Sequence, residues 1–130
     1  MKSARLLLSI SIIGLLILTG CVKKQKVDEV KQNITSSAKV TFIELGSVKC
    51  VPCKMMVPVM KQVEEKFKDQ VAVLFYDVWT PEGQPYGQQY GIRAIPTQVF
   101  LDSGGKEYYR HEGFFPYEEL VKVLEQKGVK

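Results

Sequence analysis

The sequence predicts an α/β fold in which a mixed central sheet carries helices on both faces. Three observations predict it: a β-α-β unit opens the folded region, a two-strand hairpin follows, and an amphipathic helix closes the chain. Lys39 to Leu45 (KVTFIEL) is β-rich and mostly apolar, as a strand buried on both faces should be. Cys50 to Phe67 follows with helical spacing: Met56, Met60, Val63 and Phe67 fall on one face, and Lys61, Gln62, Glu64, Glu65 and Lys68 on the other. Pro58 interrupts this helix and should kink it, because proline lacks the backbone donor.

Val71 to Tyr76 reads as a second apolar strand. Asp77 to Gly87 contains Pro81, Gly83 and Pro85 and reads as a loop, and Gln88 to Gly91 as the end of a short helix closed by glycine. Thr97 to Leu101 is a third strand, Ser103-Gly104-Gly105 a turn, and Lys106 to His111 a fourth strand. Tyr117 to Gln126 closes the order as a helix whose apolar face is Leu120, Val121, Val123 and Leu124. There is no internal repeat and no low-complexity segment.

The first 20 of the 130 residues read as a targeting segment outside this fold. Lys2 and Arg5 form a basic start, Leu6 to Leu18 is almost wholly apolar, and Thr19-Gly20-Cys21 supplies small residues at a cleavage point. About thirteen apolar residues at about 1.5 Å each fall short of a hydrocarbon core of about 30 Å, so a secretory signal fits better than a membrane anchor. Leu18-Thr19-Gly20-Cys21 resembles the lipobox of bacterial lipoproteins, which implies that Cys21 carries lipid and starts the mature chain. Residues 21–37 are polar and read as a tether. Lys23, Lys24 and Lys26 either meet anionic head groups or simply solvate a linker. Residues 38–130 form the expected domain. Loss of Lys2 and Arg5 takes the net charge from +4 to +2, a balance that gives no case for nucleic-acid binding.

Cys50-Val51-Pro52-Cys53 joins the first strand to the first helix. Two thiols three residues apart can close and reopen a disulfide ring. The helix N-terminus favours a thiolate on the first cysteine, and the thiolate is the species that attacks a disulfide. On position alone, Cys50 at the helix tip is the expected exposed thiol, and Cys53, one turn in, the sheltered one. A zinc site needs two more ligands, and the mature chain offers only His111. Copper(I) on the two thiolates, with Met55, Met56 and Met60 nearby, competes with a core reading of those methionines. Glu44 shares a face with Phe42 by alternation. A carboxyl buried there has a raised pKa and is a candidate acceptor for the Cys53 proton; the alternative is a solvated glutamate at a strand edge.

These residues resemble the thioredoxin family across nearly all of residues 38–127. Cys50-Val51-Pro52-Cys53-Lys54 matches its active-site segment and Pro58 its helix-kinking proline. Tyr90-Gly91-Ile92-Arg93 and Ile95-Pro96-Thr97 resemble the stretch before and across its cis-proline, and Gly113 a glycine near its active site. Glu44 stands where the family carries a buried acid. The resemblance implies a thioredoxin-like three-layer fold, a cis bond before Pro96, and Ile95, Pro96 and Gly113 beside the dithiol. Two positions depart from the family, which usually has tryptophan before the first cysteine and glycine after it. Here they are Lys49, whose charge should favour the thiolate, and Val51, which with Pro52 completes the motif. Trp79 belongs either over the site or in its own loop, His111 near the dithiol or exposed on the hairpin, and Phe114-Phe115 half in the core.

The expected activity is thiol–disulfide exchange with no cofactor beyond the Cys50–Cys53 disulfide. The expected direction is reduction of disulfide-containing exported proteins, outside the cytoplasm. A membrane thiol–disulfide donor would supply the electrons, and the family resemblance links such proteins to cytochrome c maturation. The chain is expected to act as a monomer held to the membrane by lipid on Cys21. The alternatives are a disulfide oxidase or isomerase, a copper-binding chaperone using the same thiolates, and a binding module with a vestigial dithiol.

Overall fold

Strand β1 (Val40–Gly46) is buried along its whole length because it is paired on both edges and covered on both faces. The computed structural model describes residues 38–130, so the expectations for the signal segment, Cys21 and the tether fall outside the described residues. Strand β2 (Val71–Asp77) lies parallel to β1, reached through helix α1 (Val51–Phe67). Strands β3 (Thr97–Asp102) and β4 (Glu107–Glu112) form the expected hairpin, and β3 runs antiparallel to β1. The sheet order is therefore β2-β1-β3-β4, a mixed sheet as the β-α-β-plus-hairpin pattern requires.

Alternation along β1 sends its side chains into two separate cores. Val40 and Phe42 face α1 and the closing helix α3 (Tyr117–Glu125). There Phe42, Met56, Val63, Phe100, Phe115, Leu120 and Leu124 pack with almost no exposed surface. Phe42 stacks on Phe100 with ring centroids 5.0 Å apart, and Phe115 meets Phe100 edge-on at 6.2 Å. Ile43, Leu45 and Val99 face the other way, toward Tyr86, Tyr90 and Ile92. Helices therefore cover both faces, giving three layers. Pro58 lies inside α1 without ending it, because a proline there removes one hydrogen bond and the packed face holds the rest.

One stretch departs from the sequence reading. Four residues of the expected Asp77–Gly87 loop, Gln84 to Gly87, are already helical: α2 (Gln84–Gln89) begins earlier than the helix end expected at Gln88, with Pro85 in its first turn, a position where the missing N–H is no loss. Tyr86 of α2 stacks on Tyr76 of β2 at 3.6 Å and fixes this helix to the sheet. Trp79 takes neither expected place: it stands 61% exposed, while its neighbour Val78 packs into the second core.

Candidate active site

The turn between β1 and α1 brings the dithiol to the carboxyl end of the central strand. Cys50 N–H donates to the Ser47 carbonyl at 3.1 Å, closing the turn, and Cys50 then caps the helix from an extended backbone. Its Sγ accepts the Cys53 backbone N–H at 3.4 Å, so the helix aims an unpaired donor at the first sulfur. Cys50 and Cys53 are joined as a disulfide, with Cα atoms 5.2 Å apart. The expectation of an exposed Cys50 is corrected: its exposure is 8%, against 3% for Cys53. Val51, by contrast, is 70% exposed, and Pro52 and Lys49 are also exposed, so the solvent side of the motif belongs to its neighbours. The cap position, which turns the first sulfur back over the N-terminal N–H groups, accounts for the difference.

Glu44, two residues before the end of β1, is fully buried and does not sit at a solvated strand edge. Burial pushes its carboxyl up to about 8, against a smaller opposing pull from the Gln98 amide. Gly46 lets the acid and the second cysteine approach one another. A Cβ at Gly46 would lie 3.1 Å from Cys53 Sγ and 3.6 Å from Glu44 Oε1.

The third wall comes from the segment before β3. The Ile95–Pro96 bond is cis, Pro96 is buried and Ile95 half-buried. Thr97 Oγ1 donates to the Ala94 carbonyl at 2.7 Å, and Gly113 N–H donates to the Pro96 carbonyl at 2.8 Å. Gly113 has a φ of 94°, a conformation that disfavours any side chain, so it is suited to hold this bond. The Gly113 carbonyl in turn accepts Nε2 of Gln98 at 3.1 Å. Gln98 is fully buried and pairs directly with Glu44 across β1 and β3.

Sequence reasoning missed both Gln98 and Gly46. A polar residue within an otherwise apolar strand is the signal that marks Gln98; nothing local marks Gly46.

Asp77, at the end of β2, braces the turn before the dithiol. Its carboxylate accepts Val48 N–H at 3.2 Å and Trp79 N–H at 3.1 Å. These bonds and the nearby Lys49 ammonium hold its pKa below the ordinary value, although partial burial pushes the other way. His111 is half-buried, stacked on Phe115 at 4.2 Å with Nε2 beside the Phe114 carbonyl. Phe115 is buried and Phe114 is 38% exposed, which divides the pair between core and surface. Met56 and Met60 pack with the first core, and Met56 Sδ accepts the Phe115 N–H at 3.3 Å. That leaves exposed Met55 as the one soft ligand near the sulfurs outside the core. Among the described residues, no cluster of three His, Cys, Asp or Glu side chains is disposed to hold a metal ion.

A disulfide at a helix start, an acid of raised pKa close to Gly46 and a cis-proline turn leading into the strand that pairs with β1 form an arrangement suited to thiol–disulfide exchange. The sequence model of the thioredoxin family, described as Thioredoxin, matches residues 21–126, a span that begins ahead of the expected domain start at residue 38. The chain is 33% identical over 103 residues to chloroplastic Thioredoxin Y2 of Arabidopsis thaliana, covering 79% of this chain and 60% of that protein. It is 39% identical over 80 residues to thioredoxin of Malassezia sympodialis, covering 61% of this chain and 73% of that protein. The chain thus spans about three fifths of the length of the plant relative. A solved mutant thioredoxin of Halobacterium salinarum superposes with a TM-score of 0.65 at 26% identity, covering 75% of this chain and 81% of the other. With the family's sequence model matched over most of its length and a thioredoxin structure superposing on its sheet and helices, the chain belongs to the thioredoxin family.

Proposed function

We propose that this protein is an extracytoplasmic, lipid-anchored thiol–disulfide oxidoreductase that reduces disulfides of exported proteins. The observation that carries the chemistry is the Cys50–Cys53 disulfide at the start of α1, with Cys53 and Glu44 meeting at Gly46. In the reduced protein the Cys50 thiolate attacks a substrate disulfide. One S–S bond breaks, a mixed disulfide forms, and the first substrate sulfur leaves as a thiolate that takes a proton from solvent. Glu44 first loses its own proton to solvent and, as the carboxylate, takes the Cys53 proton while Cys53 attacks Cys50 Sγ, releasing the second substrate thiolate. Two electrons have passed to the substrate, and Cys50–Cys53 is oxidised. A carboxyl held up to about 8 suits this transfer, because once ionised it is a far stronger base toward a thiol than an ordinary carboxylate at about 4.3.

Export and anchoring rest on the sequence of residues 1–21: the basic start, the apolar run and Leu18-Thr19-Gly20-Cys21. A membrane dithiol donor would restore the reduced state, and cytochrome c maturation is one process that needs such a reductant. The copper reading is weaker, since Met56 spends its sulfur on the Phe115 N–H within the core.

A dithiol-driven disulfide reduction assay tests the activity. Turnover by the wild-type protein that vanishes in Cys50→Ser is the expected result, and an inactive wild-type protein would overturn it. Incorporation of labelled palmitate, lost in Cys21→Ala, tests the anchor. An unlabelled wild-type chain would remove that part of the proposal.

A further inference from the structure

Three buried oxygens near the dithiol have no hydrogen-bond donor: both carboxyl oxygens of Glu44 and Oε1 of Gln98. The two residues are a direct cross-strand pair on β1 and β3, so their side chains leave the sheet side by side on the face covered by α1. Buried acceptors without donors are costly, at about 1–3 kcal/mol each. Three of them together call for a proton. Protonated Glu44 carries one, and a carboxylic acid donates it to an amide oxygen in ordinary geometry.

The orientation of the amide is fixed from its other end. The Gly113 carbonyl only accepts, so the group of Gln98 that stands 3.1 Å from it is the donor Nε2. Oε1 is then the end left for the acid. Gly113 is itself anchored, through its N–H, to the Pro96 carbonyl at 2.8 Å.

We propose that Gln98 is a positioning residue for the buried proton: Oε1 accepts the O–H of Glu44 while Nε2 stays tied to Gly113. This deepens the proposed function, in which Glu44 exchanges a proton with Cys53. The amide holds the acid in its neutral form when the protein is oxidised, and turns the proton-bearing oxygen toward β3. A hydrogen bond donated by Gln98 would favour the ionised carboxylate and pull the Glu44 pKa down, yet in the resting geometry neither carboxyl oxygen receives one. Nε2 has a second N–H beyond the one given to Gly113, but Oε1 has no donor at all, and the acid is the group across from it that can supply one, so the acceptor role outweighs the donor role.

The groups around Glu44 make the titration readable. From α1 comes Cys53, which does not titrate while disulfide-bonded. From β3 comes Gln98, and the register partner on β2 is apolar Phe75. His111 on β4 lies opposite Gln98 in the sheet and is stacked on Phe115. No Lys or Arg forms an ion pair with Glu44 among the described residues.

The test is a carboxyl-carbon NMR titration of Glu44 in the oxidised full chain, kept in detergent, for wild type and Gln98→Met. Methionine keeps roughly the volume and removes the acceptor. The expected result is a fall of the Glu44 midpoint by about one pH unit, the equivalent of one buried hydrogen bond to the neutral acid. An unchanged midpoint overturns the proposal, and a raised one assigns the amide to the carboxylate instead. Should the variant not fold, the wild-type protein labelled with nitrogen-15 gives a second reading. The Gln98 side-chain amide resonances are expected to shift with the Glu44 midpoint, and resonances blind to that transition overturn the proposal. Both titrations read the resting protein. An inactive wild type therefore sinks the reaction alone, and a pH-blind Gln98 sinks this inference alone.

Discussion

Glu44 Oε1 and Cys53 Sγ flank a single point beside Gly46, where a Cβ would stand 3.6 Å from the first and 3.1 Å from the second. The acid comes from the central strand and the sulfur from the first turn of the helix. A side chain at position 46 would press on both of them. The site is thus set by backbone closeness as much as by reactive groups.

Substitution at Gly46 should register on both partners. Gly46→Ala puts a methyl group 3.1–3.2 Å from Cys53 Sγ and Cβ, closer than carbon and sulfur settle without a shift. Gly46→Val adds further bulk to a packed site and is expected to cost about 1–3 kcal/mol, with alanine costing less. Urea unfolding of the oxidised proteins measures this, and two variants as stable as wild type would contradict the close approach.

The raised pKa of Glu44 fixes the sign of a pH effect on stability. The folded chain keeps the proton up to about pH 8, whereas the unfolded chain releases it near 4.5. Between these values the folded state binds more protons than the unfolded state, so stability falls as pH rises and levels off above about 8. The full effect is on the order of 5 kcal/mol. Glu44→Gln removes the titration, so the variant should lose this slope and exceed wild type in stability at pH 8. Parallel pH dependences for the two proteins would sink the buried-acid account.

The order of attack is open to trapping. Cys53→Ser leaves Cys50 with no resolving thiol, so it should accumulate a mixed disulfide with substrate that intact-mass measurement detects. Cys50→Ser should accumulate none. Adducts of the same yield on both variants would show that the two cysteines do not divide the work as proposed.

Phe100 touches Phe42 and Phe115, as well as Tyr108 and Tyr109, at the centre of the first core. Phe100→Ala should cost about 3–5 kcal/mol in chemical denaturation. A loss below about 1 kcal/mol would mean that the core collapses around the gap, contrary to the packing described.

Much of this was legible from local pattern. The strand–dithiol–helix order, the glycine turn and the closing amphipathic helix depend on residues close in sequence, and each appeared where its spacing placed it. Glu44 could be marked as buried because five apolar or β-branched neighbours, Val40 to Ile43 and Leu45, share its short strand. The features that were missed depend on pairing between distant segments. Gln98 gains its meaning only when β3 lies in register with β1, and Gly46 only when the first turn of α1 folds back on the strand. The start of helix α2 was obscured because Pro85 and Gly83 read as breakers, although proline begins a helix as readily as it ends one; its end was expected. The burial of Cys50 also followed from geometry rather than pattern, since its position at the cap hides a sulfur that the helix tip alone would expose.

The direction of electron flow is the central claim, and the reduction potential of Cys50–Cys53 tests it most directly. Equilibration of the full chain in defined thiol buffers should give a value near or below about −270 mV, the range of a thioredoxin reductant. A value of about −120 to −180 mV would make the protein an oxidase or isomerase and would contradict the proposed function.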